Sequence, residues 1–270
     1  QSNMLIEEYM LLANKIVAKH IAAPKSGPIK PFIYRVHDLP DKEKILEFAL
    51  FVKTLGYSFD PNASLKSIGF QNLLNQVKGK EEEALVNELA IRSMAKAVYA
   101  AENIGHYGLG FKYYTHFTSP IRRYSDLIVH RLLFKYNSTK SGEIYTLELL
   151  KEICDNISAS ERNAVEAERF SIKQKQIEYL RNHQGNEFSA IISGITNFGI
   201  FVKITNILAE GLIRLRDLDD DYYVYDEKKY SIIGKRTKKQ YRLGDKIHVK
   251  LIRVDEERAE LDFIILDSKE

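Results

Sequence analysis

Apolar residues recur at helical spacing through the first two thirds of the chain and then give way to alternation. Leu5, Tyr9, Leu12 and Ile16 predict a helix over residues 4–21 with that stripe turned inward. The segment holding Pro24, Gly27, Pro28 and Pro31 reads as a linker, followed by a short strand at Phe32–Val36 and a helix over 41–54 entered through Pro40. Two further helices are predicted over 64–77 and 81–100. Thr118, Ser119 and Pro120 have the residue types of a helix start, and Ile121, Tyr124, Ile128 and Leu132 then share one face. A polar turn over 137–142 precedes a long helical tract over 144–181.

Beyond His183 glycine punctuation and alternation take over, as in Phe188-Ser-Ala-Ile-Ile-Ser, Gly199-Ile-Phe-Val-Lys-Ile and Lys246-Ile-His-Val-Lys-Leu. About five short strands in roughly 80 residues predict a closed barrel such as the OB-fold. The expected class is therefore α+β, a mainly helical part over 1–182 and a small OB-fold β-barrel over 183–270.

The arginine pair is the first candidate chemistry. Arg122 and Arg123 fall near a predicted helix start, where cations are unfavourable by about 0.3–1 kcal/mol each unless an anion joins them. Asp126 reaches either arginine at i+4 or i+3 spacing but cannot serve both fully. Two readings stay open: an ion-pair ladder with the spare arginine tied to another helix, and a phosphate clamp exploiting bidentate guanidinium geometry. Tyr107, Phe111, Tyr113, Tyr114 and Phe117 just upstream stack on bases or fill a core, and core filling is the commoner fate.

Composition narrows the partners. With 270 residues, 44% of them hydrophobic, the chain can bury a substantial core. A net charge of only +3 gives no global cationic field, so any nucleic-acid role must come from local clusters. A single cysteine, Cys154, excludes an intrachain disulfide and a cysteine-rich zinc site, and reads as a packing residue. No apolar run approaches the roughly 20 residues that span a bilayer, so a soluble, cytoplasmic monomer is expected. The chain opens on Gln1, which points to a processed, tagged or partial polypeptide.

Weaker constellations follow. On the first helix Glu7 and Asn14 share one edge of the apolar face, and Glu8, Lys15 and Lys19 the other. In the long helix Glu161 and Glu168 interrupt the stripe Ile157, Val165, Ile172 and Tyr179, where each needs a cation, a metal or water. An ion pair to Arg122 or Arg123 and a functional site are both compatible with that pattern. The acidic run Asp217–Asp221 has the composition of a magnesium cluster, yet a solvated loop is the commoner outcome. Phe198 and Phe201 flank Gly199 and would share a face if a bulge fell there. The basic stretch 228–242 is a solvated hairpin by itself, but beside aromatics on a barrel it favours RNA or single-stranded DNA.

With these residues in view, the chain resembles the C-terminal part of the ribonuclease II family of exoribonucleases, ribonuclease R type. The segment HYGLGFKYYTHFTSPIRRYSDLIVHRLL (106–133) is the most specific, and LIEEYMLLANKIVA (5–18), PFIYRVHDLP (31–40) and an S1-type domain from about Gly185 follow the family's order. The resemblance implies a processive 3′-to-5′ exoribonuclease that uses magnesium to hydrolyse single-stranded RNA to nucleoside 5′-monophosphates. It implies that Arg122 meets the scissile phosphate and that Glu168, in Ala167-Glu168-Arg169, lies near the terminal nucleotides. Glu7, Glu8 and Asn14 match a pocket-lining helix, and Tyr114, His116, Arg123, Phe198, Phe201 and Arg214 complete the expected RNA contacts. Arg214 stands where related domains often carry histidine. The family's metal-binding aspartates lie upstream of the helix at which this chain begins, so no metal ligand is expected here. The segment alone is expected to bind RNA with little or no cleavage, magnesium being a cofactor of the longer protein. A noncatalytic RNA-binding module is the alternative.

Overall fold

A computed structural model describes residues 2–22, 30–61, 68–80, 83–138, 145–226 and 231–266. In chain order it contains α1 (Ser2–Ala22), β1 (Tyr34–Val36), α2 (Lys42–Thr54), α3 (Ile68–Val77), α4 (Glu83–Ser93), β2 (Val98–Ala100), α5 (Tyr124–Asn137) and α6 (Leu147–Arg181). The strands β3 (Glu187–Ile195), β4 (Gly199–Ile204), β5 (Glu210–Arg214), β6 (Tyr223–Asp226), β7 (Ser231–Gly234), β8 (Gln240–Arg242), β9 (Lys246–Asp255) and β10 (Glu260–Ile265) complete it. The chain divides into two compact units, one of residues 1–49, 58–76 and 89–164 and the other of 50–57, 77–88 and 165–270.

In the first unit β1 and β2 pair antiparallel, Arg35 opposite Tyr99. Phe32, Ile33, Tyr34 and Val36 pack with Ala18 and Ile21 of α1, Ile128, Val129 and Leu132 of α5, and Leu150 and Cys154 of α6. Burial pushes the Cys154 thiol up to about 12, which fits a packing residue. Phe48 stacks on Phe70 and meets Phe59 edge-on, a satellite aromatic cluster beside that core.

In the second unit five strands close a barrel in the order β10-β5-β4-β3-β9, the OB-type architecture the alternation predicts. Inward positions Ile200, Val202, Ile213, Leu261 and Phe263 fill it. Gly211 is needed there: a Cβ would stand 2.4 Å from Phe263 and 2.5 Å from the Leu261 carbonyl.

Several predicted details change. On α1 the stripe Leu5, Tyr9, Leu12 and Ile16 faces outward, each residue at least 49% exposed, while Asn14, Ala18 and Ile21 are buried. Leu5 and Asn14 lie nine residues apart, half a revolution at about 100° per residue, so the buried face is the opposite one. The helix predicted over 81–100 ends at Ser93, and Val98–Ala100 joins β1 instead. On α6 the proposed stripe packs only at Ile157, which is half-buried against the core, since Val165, Ile172 and Tyr179 are exposed; Leu150, Cys154, Ser158, Ile177 and Leu180 are the buried positions. The proline-rich linker, the start of the helix predicted from 64 and the turn over 139–142 lie outside the described residues.

Candidate nucleic-acid interface

The helix that follows the arginine pair begins later than its sequence predicts. Arg123 is the N-cap, with extended φ −123° and ψ 118°, and α5 starts at Tyr124. Residues 119–122 form a turn closed by the Ser119 carbonyl, which accepts from the Arg122 and Arg123 N–H groups at 3.3 and 3.1 Å. Ile121, placed by sequence on the apolar face, projects fully into solvent, and the buried face carries Ser125, Asp126, Ile128, Val129 and Leu132. The expected Thr118 cap is not made: its hydroxyl is buried and has no hydrogen-bond partner among the described residues.

Asp126 holds this turn together. Its carboxylate is fully buried and its Oδ2 accepts from Ser119 N–H at 2.8 Å and from Arg123 Nε and Nη2 at 3.1 and 2.8 Å. Ser125 Oγ donates to Oδ1 at 3.0 Å. A buried carboxylate with four donors is well compensated. The two arginines thus part company. Arg123 is locked to Asp126, whereas Arg122 is exposed and makes no side-chain hydrogen bond or ion pair among the described residues.

A second carboxylate stiffens the floor behind the turn. Glu161 receives a forked pair from Arg35, Nη1 at 2.6 Å and Nη2 at 3.0 Å, so neither Arg122 nor Arg123 is its partner. The Arg35 guanidinium lies 4.6 Å from the Tyr99 ring centroid, and Tyr99 Oη and His116 Nδ1 share a hydrogen bond of 2.8 Å. Sequence reading missed this chain of contacts. The available signal was one arginine inside the apolar strand Phe32–Val36, which demands a buried acceptor.

Burial, together with Arg123 and Arg35, pulls the His116 pKa down to about 3. Burial and the nearby His37 similarly pull His106 down to about 4. Both rings are neutral at neutral pH, so His116 brings no positive charge to a phosphate.

Other predicted contacts fall on either side of the surface. Tyr114 is buried between His106, Phe111 and His116, so it fills the core and is not available to stack on a base. Asn14 is buried too: Nδ2 donates to Tyr114 Oη at 3.2 Å and Oδ1 accepts from Phe117 N–H at 2.9 Å. Its amide positions the 114–117 segment through these two bonds. Glu7, Glu8 and Glu168 are exposed.

On the barrel, Phe198 precedes β4 and Phe201 lies within it, their rings edge to face at 5.9 Å. The ladder irregularity lies in the partner strand, between Ile192 and Gly194 of β3, and not at Gly199; Phe198 stands before β4 and so outside its alternation. Gly199 pairs with Arg214, and Phe201 with Leu212, which puts Phe201 and Arg214 on one outward face. Arg214 is not free on that face, because its Nη2 is 3.1 Å from Asp262, which also has Arg253 at 3.6 Å.

The acidic run does not converge on a cation site. Asp221 accepts from the N–H groups of Tyr222, Arg236 and Thr237, and Asp220 from Tyr223 Oη. Among the described residues no three His, Cys, Asp or Glu side chains could together hold a metal ion.

The helical unit thus presents an exposed arginine on a pinned turn, and the barrel presents an aromatic pair beside a paired arginine. The RNB domain family model matches residues 1–139 and the S1 RNA binding domain model matches 182–265, and the chain belongs to the RNB family. Ribonuclease R of Aquifex aeolicus is 41% identical over 272 residues, a match covering 100% of this chain and 38% of that protein. Two solved structures of Mycoplasma genitalium RNase R, the apo form and a complex with ribose-methylated single-stranded RNA, each superpose with a TM-score of 0.88 at 29% identity. Each match covers 98% of this chain and 42% of the other. The chain thus spans about two fifths of the length of these relatives. No helix among the described residues is long and apolar enough to cross a membrane.

Proposed function

We propose that this chain forms the RNA-holding portion of a processive 3′-to-5′ exoribonuclease that hydrolyses single-stranded RNA to nucleoside 5′-monophosphates. One observation carries the reading: of two adjacent arginines only Arg123 is neutralised by Asp126, and Arg122 stands exposed beside it without a partner among the described residues. An exposed guanidinium on a turn pinned by a buried carboxylate is preorganised for a phosphate oxygen, where it stabilises charge developing during phosphodiester cleavage. The ribonuclease R relatives and the RNA held by the Mycoplasma genitalium structure support this reading. Exposed Glu168 orients the terminal nucleotides, Glu7 and Glu8 line the approach, and Phe198, Phe201 and Arg214 hold the incoming strand. The division of labour falls at residues 182 and 183, with the catalytic portion before and the S1-type barrel after.

Magnesium chemistry belongs to carboxylates outside this chain. The chain alone binds RNA with little or no cleavage, in the cytoplasm and as a monomer. The test is to incubate labelled single-stranded RNA and magnesium with the chain, alone and mixed with the polypeptide encoded upstream. Degradation only in the mixture, lost with Arg122→Ala, is the expected result. Degradation by the chain alone contradicts the assignment, and binding that never becomes cleavage in any mixture favours a noncatalytic RNA-binding module.

A further inference from the structure

Between barrel strands β5 and β9 the chain builds a separate three-stranded sheet in the order β6-β7-β8. One face is buried through Tyr223, Ile232 and Tyr241. The other carries Val224, Ile233 and Gln240 in cross-strand register and, two residues along, Asp226, Ser231 and Arg242, of which Ser231 is buried; Tyr222 stands two residues before Val224, at the end of the face away from Asp226. Tyr222 is 68% exposed and Val224 is exposed beside it. The Lys235 N–H donates to the Tyr222 carbonyl at 2.9 Å, and Lys235 Nζ lies 4.5 Å from the centre of the Tyr222 ring. Ring and ammonium are therefore one unit, with the second ring face left for a planar partner.

The turn after β7 adds Arg236 and Lys238, both exposed. The acids nearest to this cationic turn are engaged within it. Asp221 Oδ2 accepts from the Arg236 and Thr237 N–H groups at 2.8 and 2.6 Å and from Thr237 Oγ1 at 2.8 Å. These bonds hold its carboxyl down to about 2. Asp220 accepts from Tyr223 Oη at 3.0 Å and pairs with Lys239 at 3.2 Å. A Cβ on Gly234 would come within 2.6 Å of Asp221 and 2.7 Å of Thr237, so the turn is closed over the carboxylate. Arg236 Nη2 also donates to the Asp220 carbonyl at 3.0 Å, which anchors its exposed guanidinium at the turn.

An aromatic ring and an aliphatic strip on a sheet face, bordered by cations, match single-stranded nucleic acid, in which bases stack while phosphates pair. We propose that the outer face of β6–β8 is a second binding surface for single-stranded RNA: Tyr222 stacks a base, and Lys235, Arg236 and Lys238 take phosphates. The proposal rests on the reading that the chain binds RNA, but it uses none of the residues assigned at the Arg122 turn or on the barrel face.

The test is fluorescence anisotropy of a short labelled oligoadenylate with the full chain, titrated across salt concentrations. Replacing Lys235, Arg236 and Lys238 with serine should reduce the slope of log affinity against log salt by about 2, at about 0.7 for each phosphate no longer neutralised. Tyr222→Ala should weaken binding about fivefold or more with the slope retained. All four side chains are exposed, and unchanged melting curves confirm that the variants fold. If these variants bind like the parent while Phe198→Ala and Phe201→Ala weaken binding, this surface is excluded and the RNA-binding reading stands. If the parent does not bind oligoadenylate, that reading fails and takes this one with it. A silent Tyr222→Ala, with the triple variant losing anionic phospholipid vesicles as strongly as RNA, indicates a general polyanion patch and also overturns the proposal.

Discussion

Arg123 donates both Nε and Nη2 to the one buried Oδ2 of Asp126, while its neighbour Arg122 has no ion pair among the described residues. Removing Arg123 takes the ion pair from a carboxylate that is 0% exposed and leaves it only the Ser119 N–H and Ser125 Oγ as donors. Arg123→Ala should therefore cost about 3 kcal/mol or more in urea-melt stability. Arg122→Ala removes only an exposed side chain and should stay within about 0.5 kcal/mol of the parent. Equal losses in the two variants would show that the arginines are not differently employed.

The Arg35–Glu161 fork joins residues 126 positions apart in sequence, and Arg35 is largely buried against Tyr99. Glu161→Gln keeps the shape but removes the charge, and should destabilise the chain by about 1.5–3 kcal/mol. Arg35→Lys should do comparable damage, because an ammonium can neither form the fork nor lie flat on the ring. Thermal melts of both variants check this; a harmless Arg35→Lys would contradict the stacking role.

Acid should weaken the fold through two histidines. His116 and His106 have pKa values lowered to about 3 and about 4, below their ordinary value near 6.5 in the unfolded chain. Between those limits the unfolded state binds more protons. The stability they contribute is complete above about pH 6.5 and is lost as pH falls toward 4 and then 3, at up to about 1.4 kcal/mol per pH unit for each histidine. His116→Gln should flatten the stability profile over that range even if it lowers stability throughout; an unchanged slope would place the His116 ring in water.

Much of this architecture is legible in the sequence because burial follows periodicity. Strand alternation marks the barrel, since inward Ile200 and Val202 alternate with outward Phe201 and Lys203. Periodicity fails where the apolar side is not the buried one, as with Leu5 and Tyr9 opposite Asn14 and Ala18. It also fails for three-residue elements such as β2, too short to show a period against the preceding helix. At the site, the i, i+3 spacing of Arg123 and Asp126 is local and readable. The Arg35–Glu161 pair, the Asn14 clamp and the Asp262 contacts to Arg214 and Arg253 are products of tertiary structure that no local pattern encodes.

Asp262 tempers the barrel face by holding Arg214 and partly neutralising Arg253. Asp262→Asn should tighten binding of single-stranded RNA about threefold to tenfold at low salt, with the gain shrinking as salt screens the released charge. Weaker binding would mean that the ion pair holds Arg214 in its RNA-contacting position.

The most direct measurement is the affinity of the chain for single-stranded RNA as a function of salt, with and without Arg122→Ala. A free guanidinium that meets phosphate predicts weaker binding and a slope reduced by about 0.7 at unchanged melting temperature. Identical affinity and slope in the two proteins would contradict a phosphate contact at Arg122.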